Sequence, residues 1–318
     1  MTRSYPILSI VVPMYNEAGG MALLFERLIP VLGGVTPEWE IVCVNDGSQD
    51  DTLSLLRQWH AHEPRIKLLS LSRNFGKEAA LTAGLHYAAG DAVIPFDADL
   101  QDPPDLIPEM VQQWQAGYKV VLATRRRRSG EGWFKRGTAW LFYRLMGSVT
   151  SIHIPVNTGD FRLMDRQVIE VLRLLPERTR FMKGLFAWVG FSTTHIYFDR
   201  APRAVGAPKQ SFLRLWRLAK DGIFSFTTLP LRFTTYLGVV ISTVAFGYAF
   251  WLIWRTVLRG VDVPGYASIM ATVLCMGGVQ LICLGIIGEY LGRIYRETKH
   301  RPLYIIEESA GLAAGKES

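Results

Sequence analysis

Two runs without a charged residue, 233–254 and 268–287, constrain this chain more than any other feature. They hold 22 and 20 residues. A helix needs about 20 mostly apolar residues to cross the hydrocarbon core of a bilayer, so each run is expected to span one. The flank before the first run carries Lys209, Arg214, Arg217, Lys220 and Arg232; the flank after the second carries Arg293, Arg296, Lys299 and Arg301. The connection over 255–267 has two basic residues. The preference of Lys and Arg for the cytoplasmic side then puts both flanks, and the long segment before them, in the cytoplasm. Glu289, one turn before Arg293, fits an interfacial ion pair better than a functional intramembrane charge. Ahead of the first run, Phe212, Leu215, Trp216, Ala219 and Ile223 share one face of a helix whose other positions are largely charged. Such a basic amphipathic helix suits the lipid headgroup boundary, the plainer alternative being a surface helix packed on a domain. The expected division is a cytoplasmic domain over 1–208, an amphipathic helix over 209–230, a first span over 231–255, a short outer loop over 256–267, a second span over 268–291, and a cytoplasmic tail over 292–318. The chain is therefore expected in the inner (plasma) membrane, multi-pass, with both termini cytoplasmic.

The charge distribution agrees. Residues 1–200 carry 22 basic and 21 acidic side chains, whereas residues 201–318 carry 13 and 7. A basic excess beside apolar runs reads as a membrane flank and argues against a nucleic-acid partner, which would call for clustering on a soluble domain. Apolar residues make up 49% of the chain and its mean hydropathy is +0.15, which excludes disorder. Three cysteines, Cys43, Cys275 and Cys283, all in apolar runs, have neither disulfide-framework nor metal-ligand spacing and read as packing residues. The N-terminus lacks a signal-peptide pattern: the apolar run 7–12 is short and ends in Pro13.

Upstream of the hairpin the pattern alternates. Short apolar runs rich in β-branched residues over 7–12, 40–44, 66–71, 92–96 and 119–123 predict buried strands. Amphipathic stretches over 17–32, 51–62, 77–89 and 105–116 predict helices, with Asp50 or Asp51 capping the second and Pro103-Pro104 opening the fourth. This alternation predicts a mostly parallel sheet with helices on both faces, whose ligands bind beyond the carboxyl ends of the strands. Residues 126–200 are less regular: a basic loop at 125–132, an amphipathic helix over 133–146, and turns mixed with short strands over 156–164 and 181–198.

The loops at that edge carry the chemistry. Asp97-Ala98-Asp99 follows the fourth strand, and two carboxylates so spaced can share a divalent cation that completes its shell with substrate phosphate oxygens; Gln101 and Asp102 follow within reach. Pro13-Met14-Tyr15-Asn16-Glu17 and Asn45-Asp46-Gly47-Ser48 follow the first two strands; they suit base and ribose recognition or, equally, turn and cap chemistry. Arg73-Asn74-Phe75-Gly76-Lys77 opens the third helix, a place where anions are held. Arg125–Arg128, with Lys135 and Arg136 downstream, suits phosphate or a solvated face, and Gly159-Asp160-Phe161-Arg162 places a charged pair in an irregular stretch. Neither a dinucleotide fingerprint nor a phosphate-binding P-loop is present.

In this order and spacing these motifs, with Leu175-Pro176-Glu177-Arg178 and the run from Gly288 to Tyr295, resemble the family 2 glycosyltransferases of GT-A fold. More narrowly, they resemble the polyisoprenyl-phosphate glycosyltransferases of the bactoprenol glucosyltransferase type, relatives of dolichol-phosphate mannose synthase. The resemblance runs from about residue 7 to 308. It implies that Pro13, Tyr15, Glu17 and Asp46 hold the nucleotide, with Lys77, Asp97, Ala98 and Asp99 completing the donor site. It implies a Mg²⁺ (or Mn²⁺) site at Asp97 and Asp99 with Gln101 close by. Arg125, Lys135 and Arg136 would face donor or acceptor phosphates, Arg203 and Lys209 (with Arg200) the acceptor at the membrane plane, and Asp160 the acceptor itself. Asp99, Asp160 and Arg125 form the implied catalytic set. Asn45 departs from the pattern, standing where many members have Asp; it keeps an acceptor, gains a donor and loses a charge.

The implied reaction moves a hexose, glucose from UDP-glucose first, onto undecaprenyl or another polyprenyl phosphate at the cytoplasmic leaflet, with inversion, for modification of cell-envelope glycans such as lipopolysaccharide O-antigen. A homo-oligomer, a tetramer among the options, is implied by the resemblance alone. Two other readings stand beside it: the same reaction with GDP-mannose, UDP-GlcNAc or an amino-sugar nucleotide, and a scaffold that binds nucleotide sugar without turnover.

Overall fold

The computed structural model describes residues 8–126, 158–175, 177, 180, 182–199, 229–259 and 265–312. The chain divides into two compact units, Met1–Leu215 with Arg301–Ser318, and Trp216–His300.

The first unit is built on an eight-stranded sheet. Its strands are β1 (Leu8–Met14), β2 (Trp39–Asn45), β3 (Ile66–Leu71), β4 (Ala92–Pro95), β5 (Val120–Arg125), β6 (Thr158–Asp165), β7 (Thr193–Phe198) and β8 (Ile306–Ala310). They lie in the order β7-β5-β6-β4-β1-β2-β3-β8. The pairs β1–β2, β1–β4, β2–β3 and β5–β7 are parallel, and among the described residues only β6 and β8 run against the rest. The five apolar runs read as strands are thus strands, each within one or two residues of its expected bounds.

Period-two alternation explains the burial on both faces. Ile10, Val12 and Met14 of β1 join one core cluster with Leu24, Phe25 and Leu28 of helix α1 (Met21–Val35), Leu56 of α2 (Thr52–His62) and Met110 of α4 (Ile107–Gln115). Val11 points the other way, against α3 (Lys77–Tyr87): a Cβ built on Gly84 would lie 2.2 Å from Val11 Cγ1. Only a glycine lets α3 sit this close to the sheet. Burying each large side chain of the core contributes about 1.5–3 kcal/mol.

Helix ends follow local chemistry. Asp50, one of the two expected caps, accepts from the Thr52 N–H (3.1 Å) at the start of α2. A 3₁₀ turn, Pro104–Leu106, precedes α4. Helix α1 runs past Pro30, whose missing N–H forfeits one bond within the helix. Two further helices, α5 (Arg166–Leu174) and α6 (Met182–Trp188), occupy stretches the sequence left irregular. Asp165 caps α5 by accepting from the Gln167 N–H (2.9 Å). Arg166 and Arg173 of α5 donate to the carbonyls of Ala88 and Leu85, satisfying acceptors that the end of α3 leaves open.

The C-terminal segment differs from expectation. Instead of a tail beginning at residue 292, the preceding helix continues to Thr298, and Ile306–Ala310 returns as β8, antiparallel to β3. The Ile305 carbonyl accepts from the Ser72 N–H (2.9 Å), and Arg57 on α2 clasps Glu308 through Nε (2.9 Å) and Nη2 (2.5 Å).

The second unit contains α7 (Leu229–Arg259) and α8 (Tyr266–Thr298), of 31 and 33 residues. Both expected spans are therefore helical, and both helices extend beyond the expected bounds. Among the described residues one stretch, Cys275–Thr298, is long and apolar enough to cross a membrane, with a mean hydropathy of 1.4; Phe233–Tyr248 is a shorter apolar helix. The amphipathic helix expected over 209–230 lies outside the described residues, apart from Leu229 and Pro230, which begin α7.

Candidate active site at the carboxyl edge of the sheet

Strands β1 to β5 end on one edge, and β6, running the opposite way, begins there. That topology gathers Tyr15, Asp46, Lys77, Asp97, Asp99, Gln101, Arg125 and Asp160, which lie up to 145 residues apart in the chain.

The first two loops are laced together. The Asn16 N–H donates to Ser48 Oγ (3.0 Å), the Glu17 N–H to Thr52 Oγ1 (3.0 Å) and the Ala18 N–H to Asp50 Oδ2 (3.2 Å), while Asn16 Oδ1 accepts from the Gln49 N–H (2.8 Å). Asn16 takes a left-handed conformation (φ 54°), which its short amide tolerates. Pro13 lies in β1 opposite Val44, beyond the last residue pair with β4, so its missing N–H breaks no bond to β4. Tyr15 follows the strand, 37% exposed and open to a ligand.

Asp46 is buried at 3% exposure and has a structural task. Its two oxygens accept from the backbone N–H groups of Phe75 (2.7 Å) and Gly76 (2.9 Å), binding the loop after β2 to the loop after β3. Burial pushes its pKa up; the two amides and Arg73 offset part of that. The neighbouring Gly47 has φ +63°, and a Cβ there would stand 2.4 Å from the Arg73 carbonyl carbon and 2.5 Å from Asn74 N. Asn45 uses both halves of its amide: Nδ2 donates to Ser70 Oγ (2.9 Å) and Oδ1 accepts from the Ser48 N–H (3.1 Å). An aspartate could keep the first contact only by accepting from the Ser70 hydroxyl.

The acidic loop follows β4. Leu100 adopts φ 52°, unusual for a branched side chain and costing about 1–2 kcal/mol. In this turn the Gln101 N–H donates to Asp99 Oδ1 (3.3 Å). Gln101 is 6% exposed, and its Oε1 has no hydrogen-bond partner among the described residues. Ala98 packs against the core cluster. Arg125, at the end of β5, places Nη2 3.5 Å from Asp102 Oδ1, and its buried Nε has no hydrogen-bond partner among the described residues. Gly159 leaves room for this guanidinium, since an added Cβ would lie 3.3 Å from Nη2.

Lys77 occupies the middle of the site. Its Nζ is 2.6 Å from Asp97 Oδ1 and 2.7 Å from Asp160 Oδ2. Burial opposes its charge, but Asp160 and then Asp97 outweigh burial and raise its pKa above the ordinary lysine value. Next to Asp160, Arg162 is buried, stacks over the Phe186 ring at 4.4 Å and donates to the Gly159 carbonyl (2.6 Å). Burial lowers its pKa to about 10, with Asp160 opposing.

Of the expected site residues, the structure joins Lys77 to Asp97 and Asp160, uses Asp46 to hold the chain before Lys77 and packs Ala98 against the core. Pro13, Tyr15, Glu17, Asp99, Gln101 and Arg125 lie on strand ends or loops of the same sheet edge, and Lys135, Arg136, Arg203 and Lys209 lie outside the described residues. Sequence reasoning did not find the Lys77 bridge or the pairing of Asp102 with Arg125, because neither contact has a local spacing. No group of three or more His, Cys, Asp or Glu side chains suited to a metal ion occurs among the described residues. Two carboxylates and the orphaned Gln101 oxygen still fit a hard cation that takes its remaining ligands from substrate phosphate and water.

Comparison with known proteins gives the family. Residues 9–173 match the family model described as glycosyl transferase family 2, and residues 229–294 match the GtrB C-terminal hairpin. An uncharacterized glycosyltransferase of Synechocystis sp. is 57% identical over 305 residues, 96% of each chain. The bactoprenol glucosyl transferase of Shigella phage SfV is 47% identical, covering 94% of this chain and 98% of its own. Among solved structures, the glucosyl-3-phosphoglycerate synthase of Mycobacterium tuberculosis in complex with Mn²⁺, UDP-glucose and phosphoglyceric acid is 20% identical, with a TM-score of 0.47 over 69% of this chain and 78% of that one. An α/β domain with a mostly parallel, GT-A-like sheet, carboxylates on the loop after β4 and a matching helical hairpin converge on one assignment: the chain belongs to glycosyl transferase family 2.

Proposed function

We propose that this glycosyltransferase is membrane-bound and moves a hexose, glucose from UDP-glucose in the first instance, onto a polyprenyl phosphate at the cytoplasmic leaflet, with inversion. The observation that carries this reading is the union in one chain of a family 2 site with a long apolar hairpin. Relatives named bactoprenol glucosyl transferase are 47% identical to this chain along almost their whole length.

The hairpin's geometry supports a double crossing. At 1.5 Å per residue, α7 and α8 are each roughly 45–50 Å long, more than a bilayer core needs. Exposed large apolar side chains run along both, from Phe233 to Tyr295. The chain leaves the catalytic unit before α7 and returns to it as β8, an arrangement that a double crossing accommodates. This agrees with the basic residues on both flanks.

The chemistry follows from the groups at the sheet edge. Transfer from a nucleoside diphosphate sugar builds positive character on the anomeric carbon and negative charge on the departing diphosphate. Asp97 and Asp99, with Gln101, would hold a divalent cation, Mg²⁺ or Mn²⁺, which when bound supplies neutralising charge to that leaving group. Arg125, with its unpartnered Nε, is suited to the same phosphates. Tyr15 offers a ring for the base, and Asp46 holds the loop from which Lys77 projects. The acceptor is already an anionic phosphate oxygen and needs no strong base, so Asp160 positions Lys77 and the acceptor. Lys135, Arg136, Arg203 and Lys209 are proposed as acceptor-phosphate contacts, and a homo-oligomer as the assembly.

The test is product formation by purified protein in detergent from radiolabelled UDP-glucose and undecaprenyl phosphate, with Mg²⁺ or Mn²⁺, with EDTA, and with Asp99→Ala. Labelled lipid that requires both metal and Asp99 is expected. No labelled lipid from UDP-glucose, but product from another sugar nucleotide, would overturn the donor; binding without turnover of any donor would overturn the reaction.

A further inference from the structure

Lys77 is the first residue of α3, and the chain before it is fixed because Asp46 holds the Phe75 and Gly76 N–H groups. From that anchor a flexible four-carbon stem reaches two carboxylates on different strands' ends, Asp97 at 2.6 Å and Asp160 at 2.7 Å. An ammonium on Asp97 Oδ1 engages the very oxygen type a divalent cation needs, and the two positive charges repel when both are close. Asp160 gives the ammonium a second place to stay, so leaving Asp97 does not expel it from the site.

Resting on the reading of Asp97 and Asp99 as the cation ligands, we propose that Lys77 is a built-in competitor for that cation, holding Asp97 until cation and donor arrive together. The cation takes Asp97, and the lysine keeps Asp160 and turns its remaining N–H donors to the donor's diphosphate. The cation alone then binds weakly, because it must displace an ion pair. Donor and cation bind cooperatively, because the displaced ammonium gains an anionic partner only when the diphosphate is present. Lys77 is a positioning residue for Asp97 and a binding residue for the donor, in sequence.

The proposal makes effects of opposite sign. Mn²⁺ binding to the full-length protein in detergent is measured from the free-ion EPR signal at fixed ionic strength without nucleotide, and UDP binding by calorimetry at saturating Mn²⁺. Lys77→Met should tighten Mn²⁺ roughly two- to fivefold, the scale of one partly exposed ion pair, and weaken UDP at least as much. Lys77→Arg should stay near wild type in both, and Lys77→Gln serves if the methionine variant does not fold. Mn²⁺ affinity unchanged or weakened in Lys77→Met, while wild-type binding remains dependent on Asp97, overturns the competitor. Wild-type Mn²⁺ binding that is absent with and without UDP, or that survives Asp97→Asn, overturns the cation reading itself and the competitor with it.

Discussion

Gly47→Ala is expected to be the most damaging single-methyl change at the site. Two costs add. The backbone at φ +63° is left-handed, where an alanine pays about 1–2 kcal/mol. The new Cβ would also meet the Arg73 carbonyl carbon at 2.4 Å and Asn74 N at 2.5 Å. Both are backbone atoms, so no rotamer change relieves the contact; the 73–74 segment must retreat by about 1 Å, at about 1–3 kcal/mol for overpacking. The total, about 2–5 kcal/mol, should lower the apparent melting temperature by roughly 5–15 °C for a domain of this size. The movement also pulls on the Phe75 and Gly76 amides that Asp46 holds, and through them on Lys77, so UDP affinity should fall as well. Gly33→Ala is the control: it lies inside α1 with open space around its Cβ, and should stabilise by about 0.5–1 kcal/mol. Intrinsic-fluorescence melting of the detergent-solubilised protein reads both. A Gly47→Ala protein melting within 2 °C of wild type would refute the steric reasoning. One that is destabilised but binds UDP normally would refute the link from this loop to the site.

Three further outcomes are expected. Asn45→Asp loses the amide donation to Ser70 Oγ and buries a charge; it should cost about 1–3 kcal/mol at pH 7 in the same melts, whatever the family preference at this position. Asp165→Asn should cost about 1–3 kcal/mol at neutral pH. Burial opposes the Asp165 charge, but Trp114, the Gln167 amide and Lys119 outweigh it and lower its pKa, so its contribution is present above the ordinary carboxylate value and disappears as pH falls through the folded value. Variant and wild type should therefore converge once the pH has fallen below that folded value. His86, half-buried beside Tyr304 and repelled by Arg180 and Arg173, has its pKa pushed down, chiefly by its partial burial, to about 4. The unfolded chain takes up that proton below about pH 6.5, so stability should decline by up to about 3 kcal/mol between pH 6.5 and 4, and His86→Phe should flatten that slope.

The parts of the fold that were legible are those where burial dictates composition. The five central strands are β-branched runs because both faces of a parallel sheet are covered, and residues 66–71 coincide with β3. Asn45 was legible as an acceptor that gains a donor, and the structure uses both. β8 was not legible: Ile-Glu-Glu-Ser-Ala is half polar, as suits an edge strand with one side in water, and its partner β3 is more than 230 residues earlier. Helix α5 follows β6 without a loop and offers only nine residues of periodicity. Lys77 read as an anion-binding lysine because a sequence displays its position at a helix start, not the carboxylates that topology brings from 20 and 83 residues away.

The return of the chain as β8 also sets an order of assembly. β3 pairs with β2 early, since the two are joined by a single helix. Its other edge stays open until residues 306–310 have been made, after both long apolar helices. For all of that interval the nascent domain exposes unpaired backbone N–H and C=O groups along β3, the kind of edge that templates pairing with another chain. Closing it is a contact of very high sequence separation and therefore a late folding event. Variants that slow formation of the helical hairpin should thus lower yield by prolonging this exposure, even when the finished protein is as stable as the wild type.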